Sequence, residues 1–151
     1  MPQSLSRVLV HLVFGTKDRV PWMNREIRSE LHAYLGGIIR NHGGWPIEIG
    51  GVEDHVHICL GLARTTSVAE MVSALKASSS KWMKNKHRDL NQFQWQAGYA
   101  AFSVDPLAVE ALCCYIRNQE EHHRARSFQD EYREFLRTHG ISFEERFIWE
   151  C

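Results

Sequence analysis

His55-Val56-His57 is the segment whose residue types and spacing point most directly to chemistry. It lies in the run Gly51-Val52-Glu53-Asp54-His55-Val56-His57-Ile58-Cys59-Leu60, where Val52, Val56, Ile58 and Leu60 take the even positions, the period of a β-strand. Alternation sends both imidazoles to one face and Val56 to the other. The two side chains leave the backbone about 6.6 Å apart, the rise of two extended residues, so their ring nitrogens can converge on one cation. A metal site carried by a strand is also a rigid one. Taken alone, the pattern equally describes two half-buried polar residues, and its meaning depends on what else the chain brings to it.

Tyr115 and Gln119 form the second set. They are four residues apart in a segment where Val109, Leu112, Cys113 and Ile116 make an apolar helical stripe, so they sit one turn apart and about 40° around the axis, with His122 close to the same line. A tyrosine beside such a stripe is by default a residue at the edge of the core with a solvated hydroxyl. Next to a metal-binding strand it becomes a candidate nucleophile. A phosphodiester repels an attacking oxygen, and a cation on its non-bridging oxygen both neutralises that charge and positions the bond. Gln119 can add a third, neutral oxygen ligand. The phenol, with an ordinary pKa of about 10, needs a metal or a nearby base to attack. A covalent phosphotyrosine would conserve the energy of the diester and allow rejoining without ATP.

The elements that must position these residues follow from the apolar pattern. Ser6–Phe14 is rich in Val and Leu and predicts a buried first strand, followed by the polar, basic loop Gly15–Arg19. Asn24 is a candidate N-cap for a helix through Ile27, Leu31, Tyr34, Leu35 and Ile38 that stops at Gly43-Gly44. Trp45–Ile49 starts a second strand, and Gly50-Gly51 suggests a turn or bulge before the histidine strand, which ends near Leu62. Ser67 with Glu70 reads as a capping box for a second helix with Val68, Met71, Val72, Leu75 and Trp82 inward. Trp95–Val104 predicts a fourth strand. Asp105-Pro106 opens a third helix running to about His123, and Ser127 caps a fourth that stops at Gly140. This order is that of an α+β, ferredoxin-like βαββαβ antiparallel sheet with helices on one face and a C-terminal helical extension. The other face is left for function or for a partner subunit.

The 151 residues predict one domain, 44% hydrophobic and 24% charged. No apolar stretch approaches the roughly 18 residues of a membrane span and the N-terminus lacks a signal-peptide pattern, so a cytoplasmic location is expected. Lys plus Arg equals Asp plus Glu at 18 each, so any surface for nucleic acid must be local. Cys59, Cys113, Cys114 and Cys151 lack metal-binding spacing and read as reduced thiols.

The segments GGVEDHVHICLGL (50–62), LKASSSKWM (75–83), WQAGYAAFSV (95–104), YIRNQEEHHRARSFQDEYREFLRTHGI (115–141) and FEERFIWE resemble the single-tyrosine transposases of the insertion sequence 200/605 family. These belong to the group named for a His-hydrophobe-His motif. The similarity covers nearly the whole chain in order, and its most specific part joins His-x-His to Tyr-Ile-x-Asn-Gln-x-x-His-His. The resemblance implies that His55, His57 and Gln119 hold a metal, Mg²⁺ or Mn²⁺, and that Tyr115 is the nucleophile. It further implies a homodimer in which the tyrosine helix of one subunit can complete the histidine site of the other. The implied reaction cuts and rejoins single-stranded DNA at hairpin-marked ends through a 5′-phosphotyrosine and a free 3′-hydroxyl.

Other residues carry weaker signals. Glu53 shares parity with the histidines but reads better as a solvated or hydrogen-bonded carboxylate at the strand's start, and His11 lies beside the site if the first and third strands are neighbours. His122 and His123 match the family pattern without a chemical role beyond supporting contacts. Lys17 and Arg19 in the first loop, and Lys76, Lys81, Lys84, Lys86 and Arg88 near the end of the second helix, are the local cations available for DNA phosphates. Trp82 among them could stack on a base, although packing inward is the simpler role. A phosphoesterase without a covalent step, and a silent or domesticated hairpin-binding relative, remain as alternatives. The first predicts that Tyr115→Phe stays active, and the second that DNA binding survives His57→Ala without biological loss.

Overall fold

A computed structural model describes residues 2–121 and 126–145; the expectations for His122, His123, Cys151 and the end of the tail lie outside them. The order is β1 (Val8–Gly15), α1 (Arg25–Asn41), β2 (Trp45–Val52), β3 (His55–Leu62), α2 (Val68–Lys86), β4 (Ala100–Ser103), α3 (Val109–Arg117) and α4 (Phe128–Thr138). A short 3-10 turn, Lys17–Arg19, follows β1. The four strands form one antiparallel sheet in the order β2-β3-β1-β4, the ferredoxin-like arrangement expected.

Side-chain alternation divides the chain between the two faces of this sheet. Val10, Leu12 and Phe14 of β1 and Val56, Ile58, Leu60 and Leu62 of β3 meet Leu31, Leu35 and Ile39 of α1 and Met71, Leu75 and Met83 of α2 in the main core. Each such side chain contributes about 1.5–3 kcal/mol when fully buried. The opposite face carries His11 and Val13, then His55, His57 and Cys59. This face is covered by the chain's own C-terminal helices. Val13, Ala100 and Phe102 pack there against Phe128, Tyr132 and Leu136 of α4.

The helix caps follow the sequence. Asn24 accepts from Ile27 N–H, Ser67 from Glu70 N–H and Ser127 from Asp130 N–H, each through its side-chain oxygen. Gly43, at φ +77°, ends α1 in the left-handed conformation that glycine adopts most easily.

Three boundaries differ from expectation. Gly50-Gly51 is not a turn: β2 continues through both to Val52, and the reversal falls at Glu53-Asp54. The predicted strand from Trp95 shrinks to Ala100–Ser103, because Lys76 holds the carbonyls of Gln96 and Gly98 at 2.8 and 2.7 Å and draws that segment away from the ladder. Only Trp95 keeps a bridge, to Thr16. The third helix starts with a 3-10 turn at Pro106–Ala108 and breaks at Asn118 (φ −101°, ψ 29°) before residues 119–121 resume helical structure.

Candidate active site

β3 places the two histidines. Both are fully buried, and the second nitrogen of each ring is anchored. Nδ1 of His55 lies 2.8 Å from Oδ1 of Asp54, and Nδ1 of His57 lies 2.9 Å from Nε2 of His11. The register explains the second contact: β1 pairs with β3 so that Val13 faces His57 and His11 faces Cys59, which sets His11 diagonally beside His57 on the same face. Anchoring through Nδ1 fixes each ring's orientation and leaves Nε2 pointing into the site, as in metal-binding histidines.

α3 places the nucleophile candidate. Its backbone comes so close to β2 that a Cβ on Gly50 would lie 2.2 Å from the carbonyl oxygen of Ile116. Glycine at position 50 therefore makes the seat on which the residue next to Tyr115 rests. The Tyr115 ring stands edge-on to His57, with centroids 5.7 Å apart and planes at 82°. One turn on, the amide of Gln119 is buried, donates to the Tyr115 carbonyl at 3.4 Å and presents Oε1 to Nε2 of His55 at 3.2 Å.

α4 adds a group that the spacing arguments did not select. Glu131 is almost fully buried; its Oε1 lies 2.8 Å from Nε2 of His57 and 3.7 Å from Nε2 of His55, and its Oε2 accepts the hydroxyl of Tyr115. The ligand atoms of His55, His57 and Glu131 all fall within 4.8 Å of one another. The donor set fits a divalent cation. Nε2 of His55 lies 3.2 Å from Oε1 of Gln119 and 3.7 Å from Oε1 of Glu131, so imidazole, amide and carboxylate converge on one point. Two imidazoles with a carboxylate and an amide oxygen are donors that suit a divalent cation.

Electrostatics hold the protons in defined places. Burial, reinforced by the Glu131 carboxylate, pushes the Tyr115 phenol well above its ordinary pKa, so the resting side chain is a neutral hydrogen-bond donor. Burial and the neighbouring His57 hold His11 well below the usual histidine range, so it stays neutral as a support for His57.

The profile of IS200-like transposases matches residues 4–119, most of the chain and nearly all of the described site. The chain belongs to the IS200-like transposase family. Several solved structures share its fold, among them the following. A candidate transposase from Deinococcus radiodurans R1 is 24% identical with a TM-score of 0.64, the match covering 79% of this chain and 98% of that one. A REP-associated tyrosine transposase bound to a REP hairpin is 10% identical with a TM-score of 0.56, over 77% of this chain and 68% of that one. No curated protein sequence matches significantly.

Within this IS200-like chain, His55, His57, Tyr115 and Gln119 come together as the sequence predicts, and His11 joins them. The cations do not. Lys17 and Arg19 are exposed on the turn after β1, next to the end of β3 that carries His55. Lys81 and Lys84 are exposed on α2, which covers the sheet face opposite the histidines. Lys76 is engaged with the carbonyls of Gln96 and Gly98, Lys86 pairs with Glu30, and Trp82 stacks on Tyr34 at 5.3 Å. Glu53 is turned away towards Arg28, 3.9 Å from its guanidinium. The sequence expectation did not include Glu131, yet it interrupts the apolar stripe Phe128, Tyr132, Phe135, Leu136 of α4, and a carboxylate on a buried face needs a partner. No helix among the described residues is long and apolar enough to cross a membrane.

Proposed function

We propose that this IS200-like transposase cuts and rejoins single-stranded DNA at hairpin-marked ends, using Tyr115 as nucleophile at a divalent metal held by His55, His57, Gln119 and Glu131. The observation that carries this reading is one carboxylate touching two partners: Glu131 turns Oε1 to the histidines and Oε2 to the Tyr115 hydroxyl. Mg²⁺ or Mn²⁺, when bound, supplies charge neutralisation and orientation of a phosphate oxygen.

The chain's own residues account for the rest. Glu131 and the edge of His57 fix the direction of the phenol, so little reorganisation precedes attack. As the tyrosine oxygen forms its bond to phosphorus, its proton passes to Oε2 of Glu131. The bond from phosphorus to the 3′ oxygen breaks, and that oxygen takes up a proton to leave as a 3′-hydroxyl. One diester is exchanged for another, and reversal by a different 3′-hydroxyl rejoins a strand.

The histidines and the tyrosine meet within one chain, and in a homodimer the tyrosine helix of one subunit could equally complete the histidine site of the other. A homodimer would place two such sites together, as exchange of two strands needs. Hairpin recognition is favoured by the hairpin-bound relative of the same fold. Lys17 and Arg19, at the edge of the site, are the cations placed to hold phosphates of the cut strand, with Lys81 and Lys84 available only to DNA that wraps to the far face.

The test is incubation of purified protein with hairpin-bearing single strands and Mn²⁺. The expected product is a covalent protein–DNA species absent with chelator and absent in Tyr115→Phe. Cleavage by Tyr115→Phe at the wild-type rate would instead favour a hydrolytic phosphoesterase.

A further inference from the structure

Beside the Tyr115 phenol, a cavity of about 150 Å³ opens between α3 and α4. The surface it exposes is mainly apolar, and it is lined by Tyr115, Glu131, Phe135, Thr138 and His139, together with Arg126 and Glu134, which pair with each other. The aromatic wall is fixed in place. Phe135 meets Tyr115 edge-on at 5.6 Å and stacks on Phe102 at 5.5 Å, and His139 stacks on the same Phe102 ring at 4.3 Å.

Glu131 turns to the histidines and the Tyr115 hydroxyl and Arg126 is paired with Glu134, so the surface left open here is chiefly the apolar rings, which neither phosphate nor metal calls for. The strand attacked at its phosphate does bring a flat apolar group to this distance, namely the base of a nucleotide flanking that phosphate. An apolar cavity of about 150 Å³ accepts a single benzene-sized ring. A six-membered pyrimidine matches that size, and a purine must project from it. The Arg126–Glu134 pair offers both a donor and acceptors to the polar edge of such a ring.

We infer that this cavity seats the unpaired base flanking the attacked phosphate and makes cleavage prefer a pyrimidine there. The inference rests on the strand-transfer reading and adds to it a source of sequence preference within the protein.

The test uses the full chain with Mn²⁺ and a pool of random single strands, sequencing both the covalently captured and the released pieces. Wild type is expected to show pyrimidine over purine at one of the two positions flanking the cut by roughly tenfold, a difference of about 1.4 kcal/mol. An abasic residue at that position should lower capture by a similar factor. Thr138→Trp, which fills the cavity, should reduce the preference to less than about twofold in the strands it captures, and His139→Ala, which removes a wall, should admit purines. A Mn²⁺-dependent rise in melting temperature in both variants checks that the fold and the metal site survive. Capture by wild type that is indifferent to the base at both flanking positions overturns the inference, as does an unchanged preference in both variants. Absence of any captured strand with wild type is the one outcome that brings down the strand-transfer reading as well.

Discussion

The hydroxyl of Tyr115 donates to Oε2 of Glu131, and this hydrogen bond crosses from α3 to α4 over the histidine-bearing face of the sheet. Because the other oxygen of the same carboxylate reaches His57, the nucleophile and the cation site share one buried group. Removing that group should separate chemistry from binding. Glu131→Gln keeps the shape but cannot take the phenol's proton, so covalent capture should fall roughly 10²–10⁴-fold. Fluorescence anisotropy with a labelled hairpin should show affinity within about threefold of wild type. Equal capture rates in the two proteins would remove Glu131 from the reaction.

Metal binding should be visible without any DNA. A ligand that binds only the folded state stabilises it in proportion to the logarithm of its concentration, so Mn²⁺ should raise the melting temperature of wild type and of Tyr115→Phe alike. His57→Ala should lose most of that rise. A rise of equal size in His57→Ala would place the ion elsewhere.

The seat under the tyrosine helix can be tested by two glycine substitutions of opposite expectation. Gly50→Ala forces a Cβ against the Ile116 carbonyl, and overpacking of this kind costs about 1–3 kcal/mol, lowering the melting temperature by roughly 3–10 °C. Covalent capture should fall with it, because the residue displaced adjoins Tyr115. Gly37→Ala in α1 meets nothing within 4 Å and should stabilise by about 0.5–1 kcal/mol with unchanged capture. Thermal scans with parallel capture assays distinguish the two.

His32 gives a pH prediction with a definite sign. Burial, with the Arg28 charge adding to it, lowers its pKa to about 4, and Nε2 has no hydrogen-bond partner among the described residues. The unfolded ring, at about 6.5, takes up a proton between pH 6.5 and 4 while the folded one does not. Its contribution is therefore complete above pH 6.5 and declines by roughly 2–3 kcal/mol as pH falls to 4. Urea midpoints measured across that window should fall less steeply in His32→Leu than in wild type, and parallel slopes would refute the assignment.

What could be read from the chain was what is local. The alternation around Val56 puts His55 and His57 on one face whatever the rest does, and four residues of helix bring Tyr115 and Gln119 into line across a break at Asn118. His11 required only the β1–β3 register. Glu131 was harder because its position depends on α4 folding back over the sheet, which no short-range period encodes; its apolar neighbours on the helix were the available hint. Gly50-Gly51 looked like a turn because glycine marks both turns and close approaches, and only the packed α3 tells them apart. Lys76 reads as one of the local cations for DNA phosphates; its contact with the carbonyls of Gln96 and Gly98 is long-range and no spacing encodes it.

The central claim, that the phenol carried by α3 becomes bonded to DNA at this metal site, is tested most directly by mapping the adduct. Wild-type protein captured on a hairpin strand with Mn²⁺ would be digested with nuclease and protease and analysed by mass spectrometry. The account predicts a nucleotide joined through its 5′-phosphate to Tyr115, formed only with metal. A nucleotide on another residue, or strand cleavage with Tyr115 unmodified throughout the time course, would contradict it.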